Sequence, residues 1–183
     1  MGHRLVWGLL FAISSQAGCG SSASGNPDGG GGGTVTTVAG SRSLRTLTSA
    51  EATQVCSDAA TYVNAHISVA DQCKLLAAGL TTLAGETTDA NIRSACAAFY
   101  ASCTASGPAQ TCDPTQVSTC AASATVTELS TCLADRTAAT EQVIEALPAC
   151  DALTAASLSS LNVTSAMPAS CTHLMMECPD IDL

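Results

Sequence analysis

The stretch Cys96–Cys132, CAAFYASCTASGPAQTCDPTQVSTCAASATVTELSTC, decides how the chain is read. It holds Cys96, Cys103, Cys112, Cys120 and Cys132, and its apolar residues recur at helical intervals. Ile92, Cys96, Phe99 and Cys103 fall at offsets 4, 7 and 11, which places them on one helical stripe. Gly107-Pro108 breaks that helix. Asp113-Pro114 supplies a side-chain cap followed by proline at the first helical position, so a short helix is expected to about Cys120. Thr125 with Glu128 three residues later is a capping pattern for a long helix carrying Val126, Leu129, Leu133, Val143, Ile144 and Leu147. Cys132 lies beside that stripe, and Pro148 ends the helix.

The same grammar extends in both directions. Thr48 and Glu51 predict another capped helix, with Ala52, Val55, Cys56, Ala59 and Val63 on one side. Ser68 and Asp71 open a second, whose expected stripe is Val69, Cys73, Leu76, Leu80 and Leu83 before Gly85. Thr88 or Asp89 opens the helix that leads into Cys96. Beyond Pro148, Thr154–Leu161 predicts a short helix. Met167-Pro168 opens a last one with Cys171, Leu174, Met175 and Cys178 together. β-branched residues do not alternate in runs. The expected fold is therefore all-α, a disulfide-stapled bundle of four longer helices plus short ones.

Composition explains the need for staples. Aromatic residues make up 3% of the chain, and charged residues 11% against the usual figure of about 25%. Beyond residue 40 the rings are Tyr62, Phe99 and Tyr100 alone. A core of Ala, Val and Leu with few rings buries modest area, whereas each ring would bury about 150–250 Å². Of 11 cysteines, ten remain when Cys19 is set apart: Cys56, Cys73, Cys96, Cys103, Cys112, Cys120, Cys132, Cys150, Cys171 and Cys178. An even number in an exported chain predicts a disulfide framework, each bond contributing about 2–4 kcal/mol. Cys96 and Cys103 stand roughly 10 Å apart along one helix, too far to bond, as do Cys171 and Cys178, so each must reach another element. The expected pairs are Cys56 with Cys73 across the first hairpin and Cys103 with Cys112 across the Gly-Pro loop.

The N-terminal region predicts the destination. Met1–Arg4 is short and basic, Leu5–Ile13 is an apolar run too short to span a bilayer, and small residues lead to Cys19. This layout predicts a signal peptide over 1–18. Ala17-Gly18-Cys19 resembles the lipobox of bacterial lipoprotein precursors, with Gln16 where that family usually has Leu. The resemblance implies lipidation of Cys19 and anchoring by several acyl chains, palmitate among them, with no resident cofactor. Gly20 in place of Asp resembles the sorting pattern for the outer membrane. Ordinary secretion with cleavage near Ala17 is the alternative. Residues 19–45 are expected to form the lipidated cysteine and a Gly/Ser/Thr tether, and 46–183 the cysteine-rich helical domain. In layout and cysteine density the chain is similar to Ala/Thr-rich lipoproteins of unknown function, a likeness that implies no active site.

Chemistry-bearing patterns are sparse. The formal net charge of −9, with six basic residues, excludes a phosphate-neutralising patch and hence nucleic-acid binding. No C-x₂-C pair supports structural zinc, and neither a G-x-S-x-G elbow nor an H-E-x-x-H helix occurs. His66 is expected near a helix end, close to terminal carbonyls. His173 with Met175 and Met176 offers a soft-metal reading, against which stands plain core packing of Met175. Cys73 beside Lys74 offers an activated-thiol reading, against which stands bridging. Asp58, Asp71, Asp135, Glu141 and Glu145 read as helix-surface carboxylates. Asp180 and Asp182 are fragments of a calcium-loop pattern, and Asn162-Val163-Thr164 is a glycosylation sequon. The expected function is that of a lipid-anchored extracytoplasmic envelope protein with a binding or structural domain, attached to the membrane and facing an envelope protein partner. The alternatives are a thiol-based or metal-handling periplasmic enzyme resting on Cys73, Lys74 and His173, and a secreted inhibitor-like disulfide domain.

Overall fold

The computed structural model describes residues 35–107, 112–160 and 167–181. The signal peptide, Cys19, the sequon and Asp182 lie outside them. The described residues belong to one compact unit that begins at Thr34.

That unit is all-α. It runs α1 (Ser49–His66), α2 (Val69–Leu83), α3 (Asp89–Ser106), α4 (Pro114–Val117), α5 (Val126–Ala146), α6 (Ala155–Ser160) and α7 (Ala169–Glu177). Single 3-10 turns occur at Leu44–Thr46 and Cys150–Ala152. The predicted caps form. Thr48 and Glu51, and Thr125 and Glu128, make reciprocal capping boxes on α1 and α5. Ser68, Thr88 and Asp113 each accept a backbone N–H at the starts of α2, α3 and α4. Gly107 ends α3 at φ 76°, a conformation that costs a side-chain-bearing residue energy.

Two clusters form the interior. One gathers Leu44, Val55, Val126, Leu129 and Leu174 from the first turn, α1, α5 and α7. The other gathers Ala77, Ile92, Leu147 and Leu153 from α2, α3 and the segment after α5. No aromatic residue is buried among the described residues, whereas eight of the bridged cysteines are: Cys56, Cys73, Cys96, Cys103, Cys120, Cys132, Cys171 and Cys178. Phe99 and Tyr100 pack partly buried against the second cluster, while bridged cysteines sit inside both.

Three expectations need correction. The buried face of α2 is Cys73, Ala77, Ala78 and Thr81, not the leucine stripe. Small side chains let α2 and α3 approach closely, while Val69 and Leu83 remain 46% and 70% exposed. The domain also begins before residue 46. Leu44 is fully buried, and residues 40–44 lie along the start of α5. Leu44 N–H donates to Ala124 O, Val126 N–H to Arg42 O and Thr127 N–H to Gly40 O. A Cβ at Gly40 would collide with Thr127 Oγ1. Upstream, Asp58 of α1 accepts from the hydroxyls of Thr36 and Thr37 and from Thr37 N–H. Threonines that read as tether because they lack apolar area are held by hydrogen bonds instead.

The third correction concerns pairing. The bonds are Cys56–Cys112, Cys73–Cys103, Cys96–Cys150, Cys120–Cys178 and Cys132–Cys171, with Cα separations of 4.3–5.5 Å. All ten expected cysteines are used, but neither expected pair forms. Cys56 lies ten residues before the end of α1 and Cys73 four residues after the start of α2. Folded back as a hairpin, the two would stand about 9 Å out of register, beyond disulfide reach. The extensive hairpin is α2 against α3, which brings Cys73 to Cys103. Beyond Gly107 the chain leaves α3, and α4 packs on α1, which brings Cys112 to Cys56.

The bonds form two nested pairs. Cys73–Cys103 lies inside the loop of Cys56–Cys112, and Cys132–Cys171 inside that of Cys120–Cys178. Cys96–Cys150 is the one bond that ties the first pair to the second.

Candidate functional site

The densest grouping of chemistry-bearing side chains lies where α7 crosses the start of α5. Glu128 occupies the third position of α5 and closes its capping box. Its Oε2 accepts the Thr125 N–H at 2.8 Å and the Thr125 hydroxyl at 3.0 Å. His173 and Glu177 are four apart on α7 and so share a face. Imidazole Nδ1 lies 3.2 Å from Glu128 Oε1, and Nε2 lies 3.5 Å from Glu177 Oε1. Ser123 Oγ donates to Glu177 Oε1 at 2.6 Å.

Disulfides set this geometry. Cys171 and Cys178 flank His173 and Glu177 and tie α7 to Cys132 and Cys120. Ala121 N–H donates to Glu177 O at 2.7 Å beside the second bond. Glu177 is mostly buried, and its Oε2 has no hydrogen-bond partner among the described residues. The Thr125 N–H, more than any other contact, holds the Glu128 carboxyl below its usual range, with the Thr125 hydroxyl and His173 adding to it. The donor atoms of Glu128, His173 and Glu177 lie within 4.8 Å of one another.

The soft-metal expectation placed His173 with Met175 and Met176. Met175 packs against the core, Met176 is 70% exposed, and His173 faces carboxylates instead. Glu128 and Glu177 were missed as site residues. Glu177 carried a local signal, the four-residue spacing from His173. Glu128 read as a helix cap and nothing more, being remote from α7 in sequence.

The activated-thiol expectation fails on Cys73, which is fully buried and bonded to Cys103. Lys74 Nζ donates to Ile144 O at 3.4 Å. His66 lies over Tyr62, with ring centroids 4.4 Å apart, and its Nδ1 is 3.4 Å from Glu141 Oε1. With Asp71, Glu141 and Glu145 it lines an open recess of about 180 Å³. Asp58 is more than a surface group. Burial pushes its carboxyl up, but donors from Thr36, Thr37 and Gln54 together outweigh this and hold it low. Asp135 accepts from Ser170 and so helps fix α7 on α5.

Among the described residues no helix is long and apolar enough to cross a membrane. Fold and bonds together define a disulfide-stapled all-α domain, and five disulfides point to an oxidising, extracytoplasmic setting. The chain matches no protein-family model, no curated protein and no solved structure.

Proposed function

We propose that the protein is an exported lipoprotein, anchored through lipidated Cys19 at the outer membrane. In this reading its stapled helical domain serves the envelope as a binding or structural module. The observation that carries the reading is the cysteine arithmetic. Five bonds consume ten of the 11 cysteines and leave Cys19 as the odd one, next to the apolar leader and small residues of the lipobox-like segment. Against a thiol enzyme stands the bonding of every cysteine among the described residues.

The test is metabolic labelling with a palmitate analogue, followed by detergent-phase partitioning. The wild type should carry label and enter the detergent phase, and Cys19→Ala should do neither. An unlabelled wild type in the aqueous phase would replace the anchored reading with the secreted one.

A further inference from the structure

We propose that Cys112 is a site of thiol–disulfide exchange, where a small neutral or cationic thiol opens the Cys56–Cys112 bond and leaves the other four closed. Among the described residues Cys112 is the only exposed cysteine. It also lies outside every helix, one residue before the Asp113 cap of α4. Both members of Cys73–Cys103, Cys120–Cys178 and Cys132–Cys171 are buried. Cys96–Cys150 joins a buried cysteine to a partly buried one. Opening any of these four from outside first requires moving a core segment.

Burial decides which sulfur is attacked. Exchange begins when a thiolate attacks one sulfur of the bond and the other sulfur leaves. Cys56 lies within α1 and belongs to the first core cluster, whereas Cys112 belongs to neither cluster. A thiolate approaching from solvent therefore meets Cys112, with Cys56 as the leaving group. The incoming sulfur bonds Cys112 Sγ, the Cys56–Cys112 bond breaks, and its electron pair goes to Cys56 Sγ. That sulfur takes up the proton that the attacking thiol gave to water. Cys112 then carries the thiol as a mixed disulfide. A second thiol displaces it, leaving two protein thiols and one external disulfide, so the external thiols supply the two electrons.

The remaining bonds confine the opening. The chain stays fastened upstream by Cys73–Cys103 and downstream by Cys120–Cys178. What loses a fastening is α4, a four-residue helix packed on α1 with Val117 as its buried residue. Charge selects the thiol. Asp113 follows Cys112, and its Oδ1 accepts the Thr115 hydroxyl at 2.7 Å and the Thr115 N–H at 2.8 Å. These bonds hold the carboxyl below its usual range, so it stays negative beside the sulfur. With a net charge of −9 on the chain, thiols that carry carboxylates are repelled and those that carry an ammonium group are not.

The test treats the full oxidised chain, its free thiols first blocked with N-ethylmaleimide, with cysteamine at low ionic strength. Acid quenching and peptide mapping without reductant then locate the products. We expect the first adduct to be cysteamine on Cys112, with Cys56 as the free thiol and the other four bonds intact. Glutathione, which is anionic, should react about threefold more slowly per thiolate. That gap should narrow in about 1 M salt and in Asp113→Asn, where asparagine still caps α4. A first adduct on Cys56 or another cysteine, opening of several bonds before Cys112 is modified, or no adduct at all would overturn the proposal. Glutathione reacting as fast as cysteamine at low salt would overturn the charge selection.

Discussion

Removing the Cys96–Cys150 bond should cost the domain more, through chain entropy, than removing any other. The bond spans 54 residues, and no combination of the remaining four gives a materially shorter path between its ends. Chain-entropy reasoning then assigns it about 4 kcal/mol at 25 °C. The nested bonds contribute less than their own spans suggest. If Cys120–Cys178 is cut, Cys132–Cys171 still closes the same region, so the loop actually released is roughly 20 residues and about 3 kcal/mol. For a small domain whose total stability is about 5–15 kcal/mol, the difference is measurable. The assay is urea unfolding of Cys96→Ala/Cys150→Ala beside Cys120→Ala/Cys178→Ala. The first should lose about 4 kcal/mol and show the steeper dependence on urea, because its unfolded chain expands more. A loss below about 1 kcal/mol with an unchanged slope would refute the view that this bond joins two otherwise separately closed halves.

Mild reduction followed by alkylation should label Cys112 and Cys56 first, since Cys112 is the exposed member of the bridged set; first labelling of Cys132 or Cys171 would contradict this. Thr125→Ala should lower stability by about 1 kcal/mol in urea melts by removing the α5 capping box, and Thr125→Ser should restore most of it. The acid response follows from Glu51, Asp58, Asp113 and Glu128, whose folded carboxyls all sit below their ordinary values. The unfolded chain therefore takes up protons first as pH falls. The stability these groups contribute is complete above about pH 4–5 and disappears as pH drops through their folded values. Urea midpoints should fall between pH 6 and pH 3, less so in Asp58→Asn; a flat or rising midpoint would count against the hydrogen bonds assigned here.

Helix positions were legible because the signals are local. Thr48/Glu51, Thr125/Glu128 and Asp113-Pro114 announce helix starts through contacts made within four residues. The stripe Ile92, Cys96, Cys103 is buried as its spacing implies. What stayed hidden depends on which elements meet. On α2, Ala, Thr and Leu occupy several faces, so periodicity favours the leucines while close approach of α3 buries Ala77, Ala78 and Thr81. Disulfide pairing rests on the same choice, since α2 pairs with α3 and not with α1. The Glu128–His173–Glu177 cluster draws on α5 and α7, which are brought together by Cys132–Cys171. Residues 35–45 hid for another reason: beside the few apolar anchors Val35, Val38 and Leu44, much of their anchoring is polar, through Asp58 and through backbone bonds to the start of α5, and hydropathy is blind to it.

The central claim is that sulfur bridges hold a helical core in which no described ring is more than partly buried. Thermal melting of the oxidised chain and of the fully reduced, alkylated chain, followed by far-ultraviolet circular dichroism, tests it most directly. The oxidised chain should melt cooperatively, and the reduced chain should have lost most of its helix and its cooperative transition already at 25 °C. Superimposable melts would mean that Ala, Val and Leu suffice without the bridges.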